Sequence, residues 1–394
     1  MITSPHPLSG VGAIPPTRIA IIVPTHWEFL MGGAQLQAKL LLEELTSRPN
    51  ISVAYLASRV NTQHLAPKYY QLTQIKPPGP LHRYGLFWDW RALNKALTEF
   101  APHVIYQRVA TAYTGIGARW AKANQVPFIW HIANTTDADP VEFGLAALRR
   151  PHRFIEQRLI QTGLTHASHI VVQSEDQLRQ LQNARRSHGK SADTVSLIRN
   201  FQPIPPESPK NSAPTLEVLW IANLKDTKRP ELAVALAQEL VGRNDIRIRM
   251  IGAPYSAAES AKQQSIDNKV SELPNLEYLG ELSLEQVNDL LSESHLLVNT
   301  SIKEGFSNTF IQAWFRKVPV ASMGVNPDGM LDGGPFGDTF DSASSMAEYV
   351  RELADNRESL TNRGQKARER ASSLFSLTNA SDLADLLLKL RHDP

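Results

Sequence analysis

Two short apolar runs, Leu296-Leu-Val298 and Pro319-Val-Ala321, flank the segment Glu304-Gly-Phe-Ser-Asn-Thr-Phe-Ile-Gln-Ala-Trp314. Apolar runs of this length are too short for a surface helix and suit strands buried on both faces of a parallel sheet. The segment between them then reads as strand, tight loop and helix start. Gly305 lets the backbone turn closely, and Ser307, Asn308 and Thr309 are all good helix caps. Thr309 with Gln312 fits a capping box, so the spacing predicts a helix that starts within this triplet. The first amide N–H groups of such a helix form an anion site at the carboxyl edge of the sheet, where open α/β sheets bind ligands. Glu304, just past the strand, could accept hydrogen bonds from two neighbouring sugar hydroxyls. Glu304 and Gln312 could equally do no more than cap the helix.

The rhythm recurs along the chain. Arg18–Pro24 is a strand and Gly33–Leu45 a helix, joined by a loop that carries Gly32 and Gly33 beside a helix start, with His26 and Glu28 as candidates for acceptor contact. Strands follow at 51–57, 104–108 and 127–134, with helices at 89–100 and 114–124. The strand at 127–134 places His131 near its carboxyl end. The stretch 143–164 mixes Arg149, Arg150, His152, Arg153 and Arg158 with apolar residues and is interrupted by Pro151. It suits an ordinary surface helix or one lying on a membrane. A strand at 169–174, a helix at 175–183 and a strand at 195–200 complete the first half. Five prolines without periodicity mark 201–215 as a linker.

The rhythm restarts with the strand at 216–221 and a basic loop holding Asn223, Lys225, Lys228 and Arg229. Pro230 stands at the first helical position, a second helix start suited to an anion. Strands at 247–252 and 276–279 and a helix capped by Ser283 and Gln286 lead to the opening segment. The loop Asn326-Pro-Asp-Gly329 and a Gly-rich stretch follow it, and two or three helices finish the chain.

The segment Glu304–Trp314 resembles the Glu-x7-Glu signature of the retaining, GT-B-fold glycosyltransferases of family 4. Glu304, Gly305, Phe306 and Ala313 match, and Gln312 stands where the second Glu usually does. The run Asn308–Trp314 together with Asn326–Gly329 is similar to a branch of the family that carries Gln here. The resemblance covers nearly all of the second half and, in the first, the rhythm and the Gly-Gly loop. It implies an α/β chain of two Rossmann-like doubly wound domains facing a central cleft. The expected domains are an acceptor-side one over 1–204, a linker over 205–215, a nucleotide-sugar domain over 216–375, and a last helix over 376–394 that returns to the first.

The resemblance also implies roles. Glu304 would contact the donor sugar and Gln312 the ribose. Lys228 would hold the donor diphosphate, with Asn223 where the family has Arg, and Lys225 or Arg229 could supply the missing charge. Gly305, Phe306, Ser307, Asn308 and Thr309 would line the donor site, Gly32 and Gly33 would lie beside its phosphates, and His131 would lie near the reacting sugar. The implied reaction is hexosyl transfer from a nucleotide-sugar, UDP favoured over GDP, with retention and neither cofactor nor metal. The acceptor would be a glycan or lipid-linked glycan of envelope or exopolysaccharide synthesis. Asp137-Ala-Asp139 has the letters of a cation motif but lies in the first half. A sugar-nucleotide epimerase or hydrolase on the same fold, or a non-catalytic bilobal binding protein, are the alternatives.

Composition sets outer bounds. A chain of 394 residues is too long for one core, 42% hydrophobic against 20% charged residues is a globular balance, and the lack of Cys excludes disulfides, thiolate metal sites and Cys nucleophiles. No leader-like run opens the sequence and no apolar run reaches membrane-spanning length, so a cytoplasmic protein, peripheral on the membrane at most, is expected. Residues 1–204 carry 21 Lys and Arg against 12 Asp and Glu, and the remainder 20 against 27, nets of +9 and −7. The basic half would suit an anionic membrane or a phosphate-bearing acceptor. Solvated surface and attraction between domains account for it equally, and no feature suggests nucleic acid.

Overall fold

The structure, a computed structural model, describes residues 15–61, 69–75, 86–134, 137, 151–207 and 214–391. It contains two sheets. The first is built from β1 (Thr17–Ile22), β2 (Ile51–Ala57), β3 (Gln71–Gln74), β4 (Val104–Arg108), β5 (Phe128–His131), β6 (His169–Val172) and β7 (Val195–Leu197), in the order β3-β2-β1-β4-β5-β6-β7. β1 pairs in parallel with both β2 and β4, and order reverses across it, which is the doubly wound arrangement. The intervening helices are α1 (Gly33–Ser47), α2 (Leu86–Phe100), α3 (Ala112–Ala123), α4 (Pro151–His166) and α5 (Glu175–Ser187). Among the described residues α4 begins at Pro151, and the part of the expected 143–164 helix that precedes it lies outside them. Arg149 and Arg150 lie outside the described residues, as do the side chains of His152 and Arg153.

The second sheet holds β8 (Leu216–Ile221), β9 (Ile246–Ile251), β10 (Leu276–Tyr278), β11 (Leu296–Asn299), β12 (Val320–Ser322) and β13 (Gly337–Thr339), ordered β10-β9-β8-β11-β12-β13 with every pair parallel. Its helices are α6 (Pro230–Glu239), α7 (Ser260–Glu272), α8 (Leu284–Glu293), α9 (Asn308–Phe315), α10 (Ala343–Asp355), α11 (Arg357–Leu374) and α12 (Thr378–Leu390). The continuous apolar runs are explained by burial on both faces. Val218, Trp220, Leu296 and Val298 join a core with α6 and α10, while Leu219 and Leu297 join another with α9 and α11. The Gly-rich stretch after Met330 contains the edge strand β13.

The chain divides into two compact units: Met1–His131 with Pro140–Ile170 and Leu383–Pro394, and Ile132–Asp139 with Val171–Asp382. The end of α12 therefore belongs to the first unit and the segment after β6 to the second. No helix among the described residues is long and apolar enough to cross a membrane.

Candidate active site

In the second unit, β8 and β11 are neighbours, and the loops after them meet at the carboxyl edge of the sheet. The loop after β8 closes with a 3-10 turn, Asp226–Lys228, and then Arg229 in the left-handed region at φ 48° before Pro230 opens α6. The loop after β11 carries Asn299, Thr300, Ser301 and Glu304. Thr300 stitches the two: its hydroxyl lies 2.6 Å from the Lys228 carbonyl and accepts the Trp220 indole N–H at 2.8 Å.

This stitching delivers Lys228 to Glu304, with Nζ 2.9 Å from Oε1. The same Oε1 accepts from Ser301 Oγ at 2.7 Å and from Asn299 Nδ2 at 3.1 Å. Oε2 takes no hydrogen bond from a described residue. Burial pushes the Glu304 carboxyl upward. The Lys228 charge, the Ser301 hydroxyl and the Asn299 amide outweigh it, and the group sits below its ordinary value. The result is a fixed carboxylate with one satisfied and one open oxygen.

Gly305 follows because nothing larger fits: a Cβ there would lie 2.1 Å from the Ala133 carbonyl oxygen, itself in the second unit. Helix α9 starts within the expected triplet, with Ser307 at the N-cap, but the capping box is not formed. Ser307 makes no side-chain cap bond, and Thr309 sits a position inside the helix. The first amides of α9 thus lack a side-chain cap. Asn308 is held by Gln202, whose Nε2 donates to the Asn308 carbonyl at 3.0 Å. Gln312 is 6% exposed, and its amide makes no hydrogen bond to a described residue.

Three assignments change with the geometry. Phe306 is not a donor-facing side chain. It is 4% exposed and packs in the core against Phe375 and Trp314, with ring centroids 5.0 and 6.2 Å away. Arg229 is not a spare phosphate cation, since its Nε donates to the Thr300 carbonyl at 2.6 Å and its Nη2 to the Met323 carbonyl. It ties three loop ends together from beneath the site. Asn223 remains at the site's margin, its Oδ1 accepting from Ala253 N–H at 3.1 Å. Lys225 is exposed.

In the first unit, Gly32 is the extended N-cap of α1, without side-chain capping, and Gly33 is its first residue. His131 is the third correction. Its ring is 0% exposed, with Nδ1 2.8 Å from the Tyr106 hydroxyl and 2.9 Å from Arg108 Nη1. Burial, then the Arg108 charge, hold it well below its ordinary value, so it is a neutral core residue without surface to offer a sugar. His26 is likewise enclosed, bonded to Tyr70 at 2.8 Å, whereas the Glu28 side chain is 33% exposed.

Among the described residues no group of three or more His, Cys, Asp or Glu is placed to hold a metal ion. Asp137 turns back to accept the Ala133 and Asn134 amides at 2.8 and 3.0 Å, and Asp139 lies outside the described residues. Sequence reasoning missed Asn299, Thr300 and Ser301, although three polar residues ending an apolar strand were the available signal.

Residues 31–201 match the family model described as Glycosyltransferase Family 4, and residues 215–356 the one described as Glycosyl transferases group 1, together more than three quarters of the chain. No curated protein sequence matches. Similar solved structures include HepE of Anabaena in complex with UDP and glucose, at 16% identity and TM-score 0.71 over 95% of this chain and 100% of that one. Sucrose-phosphate synthase from Thermosynechococcus elongatus is 16% identical with TM-score 0.73, over 95% and 99%. WaaG, a glycosyltransferase involved in lipopolysaccharide biosynthesis, is 12% identical with TM-score 0.70, over 94% and 99%. At these identities the likeness to the solved structures is one of fold.

Proposed function

We propose that this chain, a glycosyltransferase of the GT-B fold by its two family matches, moves a hexose from a UDP-sugar to a glycan or lipid-linked acceptor, with retention and without a metal ion. The observation that carries the reading is the Lys228–Glu304 pair at 2.9 Å, at the sheet edge where two loops meet, with Glu304 Oε2 left open. Lys228 and the first amides of α9, at Ser307, Asn308 and Thr309, form a cationic rim for a diphosphate. Glu304 Oε2 accepts from sugar hydroxyls. Gln312 offers its free amide to a ribose, Gly305 admits the close backbone approach, and Asn223 keeps its Nδ2 for the margin of the donor. On transfer, the acceptor oxygen replaces the diphosphate oxygen on the anomeric carbon. The hydroxyl proton is released with the nucleoside diphosphate, whose charge Lys228 and the helix start stabilise.

The open start of α1 at Gly32 and Gly33 is assigned to the phosphate and acceptor side, with Glu28 nearby. HepE, a relative by fold, is described with UDP and with UDP-glucose, which favours uridine as the base. WaaG is described in lipopolysaccharide synthesis, which favours an envelope glycan as acceptor. A cytoplasmic protein, peripheral on an anionic membrane face through its basic residues 1–204, fits that acceptor class.

The test is thermal-shift screening in EDTA against UDP, GDP, ADP and their sugars, followed by assay of nucleotide release with and without glycan acceptor. A selective response to UDP that is lost in Lys228→Ala, with release dependent on acceptor, supports the reading. Release at the same rate without acceptor would instead indicate a hydrolase or epimerase. No response to any nucleotide would remove the donor assignment.

A further inference from the structure

Strands β8, β11 and β12 are neighbours and run parallel, so the loops that follow them leave the sheet at one edge. The first two loops carry Lys228 and Glu304. The third holds Asn326-Pro-Asp-Gly329, which the donor reading leaves without a role. This third loop touches the Glu304 loop directly. The Asn299 carbonyl accepts the Met323 N–H at 2.8 Å, and a Cβ at Gly324 would meet the Ser301 carbonyl oxygen at 3.1 Å. Asn299 and Ser301 are the two residues that, with Lys228, hold Glu304 Oε1.

Asp328 lies at φ 55° and ψ 23°, in the left-handed region that Asp enters more readily than most side chains and glycine enters freely. Such a turn persists only where its surroundings over-determine it. Here the carboxylate does so, with its side chain 6% exposed. Its Oδ2 takes Arg199 Nη1 at 2.6 Å, and its Oδ1 accepts the Asp176 amide N–H at 3.2 Å in the first turn of α5. A carboxylate suits that place, because the start of a helix carries partial positive charge. Arg199 is held in turn: its Nη2 lies 3.8 Å from Glu175 Oε1, and its carbonyl accepts Asn379 Nδ2 at 3.3 Å. All of these residues belong to the second unit. The far end of the loop is thus tied to α5 and to the chain after β7 by a directional, charge-assisted pair, while its near end rests on the segment that presents Glu304.

We propose that Asp328 is a positioning residue for sugar transfer. It moors the loop after β12 and, through Met323 and Gly324, keeps Asn299 and Ser301 where they aim the open oxygen of Glu304. This role rests on Glu304 accepting donor-sugar hydroxyls, and it concerns the sugar rather than the nucleotide.

The test compares the full chain with its Asp328→Gly and Arg199→Gln variants. Glycine takes the left-handed turn without strain, so a residue that merely shaped the turn would be replaced by it without loss. Hydrogen exchange of the unliganded proteins reads the mooring itself. Peptides spanning 299–306 and 323–332 are expected to exchange at least tenfold faster in both variants, with β8 and β9 unchanged. Titration with UDP and UDP-glucose reads the consequence: UDP-glucose is expected to weaken at least fivefold and UDP less than twofold. Asp328→Asn, which keeps the turn and an oxygen for the Asp176 amide, should recover part of both effects. Should Asp328→Gly fail to fold, Arg199→Gln carries the same test. Unchanged exchange in the two segments, faster exchange throughout the chain, or equal weakening of UDP and UDP-glucose would each overturn the proposal. If the unaltered chain binds neither nucleotide, the donor reading falls, and exchange alone still decides whether Asp328 holds the loop.

Discussion

Lys228 and Glu304 lie 76 positions apart in the chain and meet at 2.9 Å, one from the loop after β8 and the other from the loop after β11. Each is placed by neighbouring side chains: the Thr300 hydroxyl donates to the Lys228 carbonyl, while the Ser301 hydroxyl and the Asn299 amide donate to Glu304. Replacing Lys228 by Ala is expected to lower transfer about 10²–10³-fold, as loss of one transition-state donor does. It also leaves a mostly buried carboxylate without its cation, for about 1–3 kcal/mol of stability. Steady-state kinetics and urea unfolding of the same variant check the two effects separately, and Lys228→Arg should restore more stability than rate.

Acid sensitivity should come in two windows. His131 is held below its ordinary value of 6.5 in the folded chain, so the unfolded chain binds its proton first, and stability falls as pH drops from that value. Glu304 is held below 4.5, so its contribution is complete above that value and is lost as pH falls through the lower folded one. Urea midpoints measured from pH 7 to pH 3 are expected to lose the upper slope in His131→Gln and part of the lower slope in Glu304→Gln.

Gly305→Ala is expected to disturb the fold around the site, since its Cβ would press on the Ala133 carbonyl at 2.1 Å and backbone must move. A lowered melting temperature, with loss of transfer beyond what the temperature shift explains, is the expected outcome.

Arg229→Ala should destabilise the chain by about 2–4 kcal/mol, because two buried carbonyls lose a charged donor. Lys225→Ala, on an exposed residue of the same loop, should stay within about 0.5 kcal/mol by denaturant unfolding. Near-equal effects would mean that Arg229 is free to face ligand after all.

The contrast between those two cations marks where the sequence was legible. Strand and helix positions could be read because β8 and β11 are buried on both faces, and such burial leaves continuous apolar runs. The resemblance implied one donor for Glu304 and Lys228 but no bond between them; that contact appears only when sheet order brings together loops that are distant in the chain. What a side chain faces was not legible. Arg229 and Lys225 are alike in type and loop, and only the left-handed turn at Arg229 directs one inward. His131 ends its strand as a sugar-contacting residue would, yet Arg108 and Tyr106 enclose it. The capping box failed because Ser307 took the N-cap position two residues earlier than the pattern of Thr309 and Gln312 required.

Three donors converging on a single oxygen of Glu304 also remove a rotor. The last torsion of a glutamate is normally broad, and stilling such a side chain on binding takes about 0.5–1.5 kcal/mol. Here folding has already stilled it, so a ligand hydroxyl meets an acceptor of fixed direction. An immobile acceptor tolerates little variation in where that hydroxyl sits. Natural or engineered changes of sugar preference would therefore accumulate around Glu304 rather than at it.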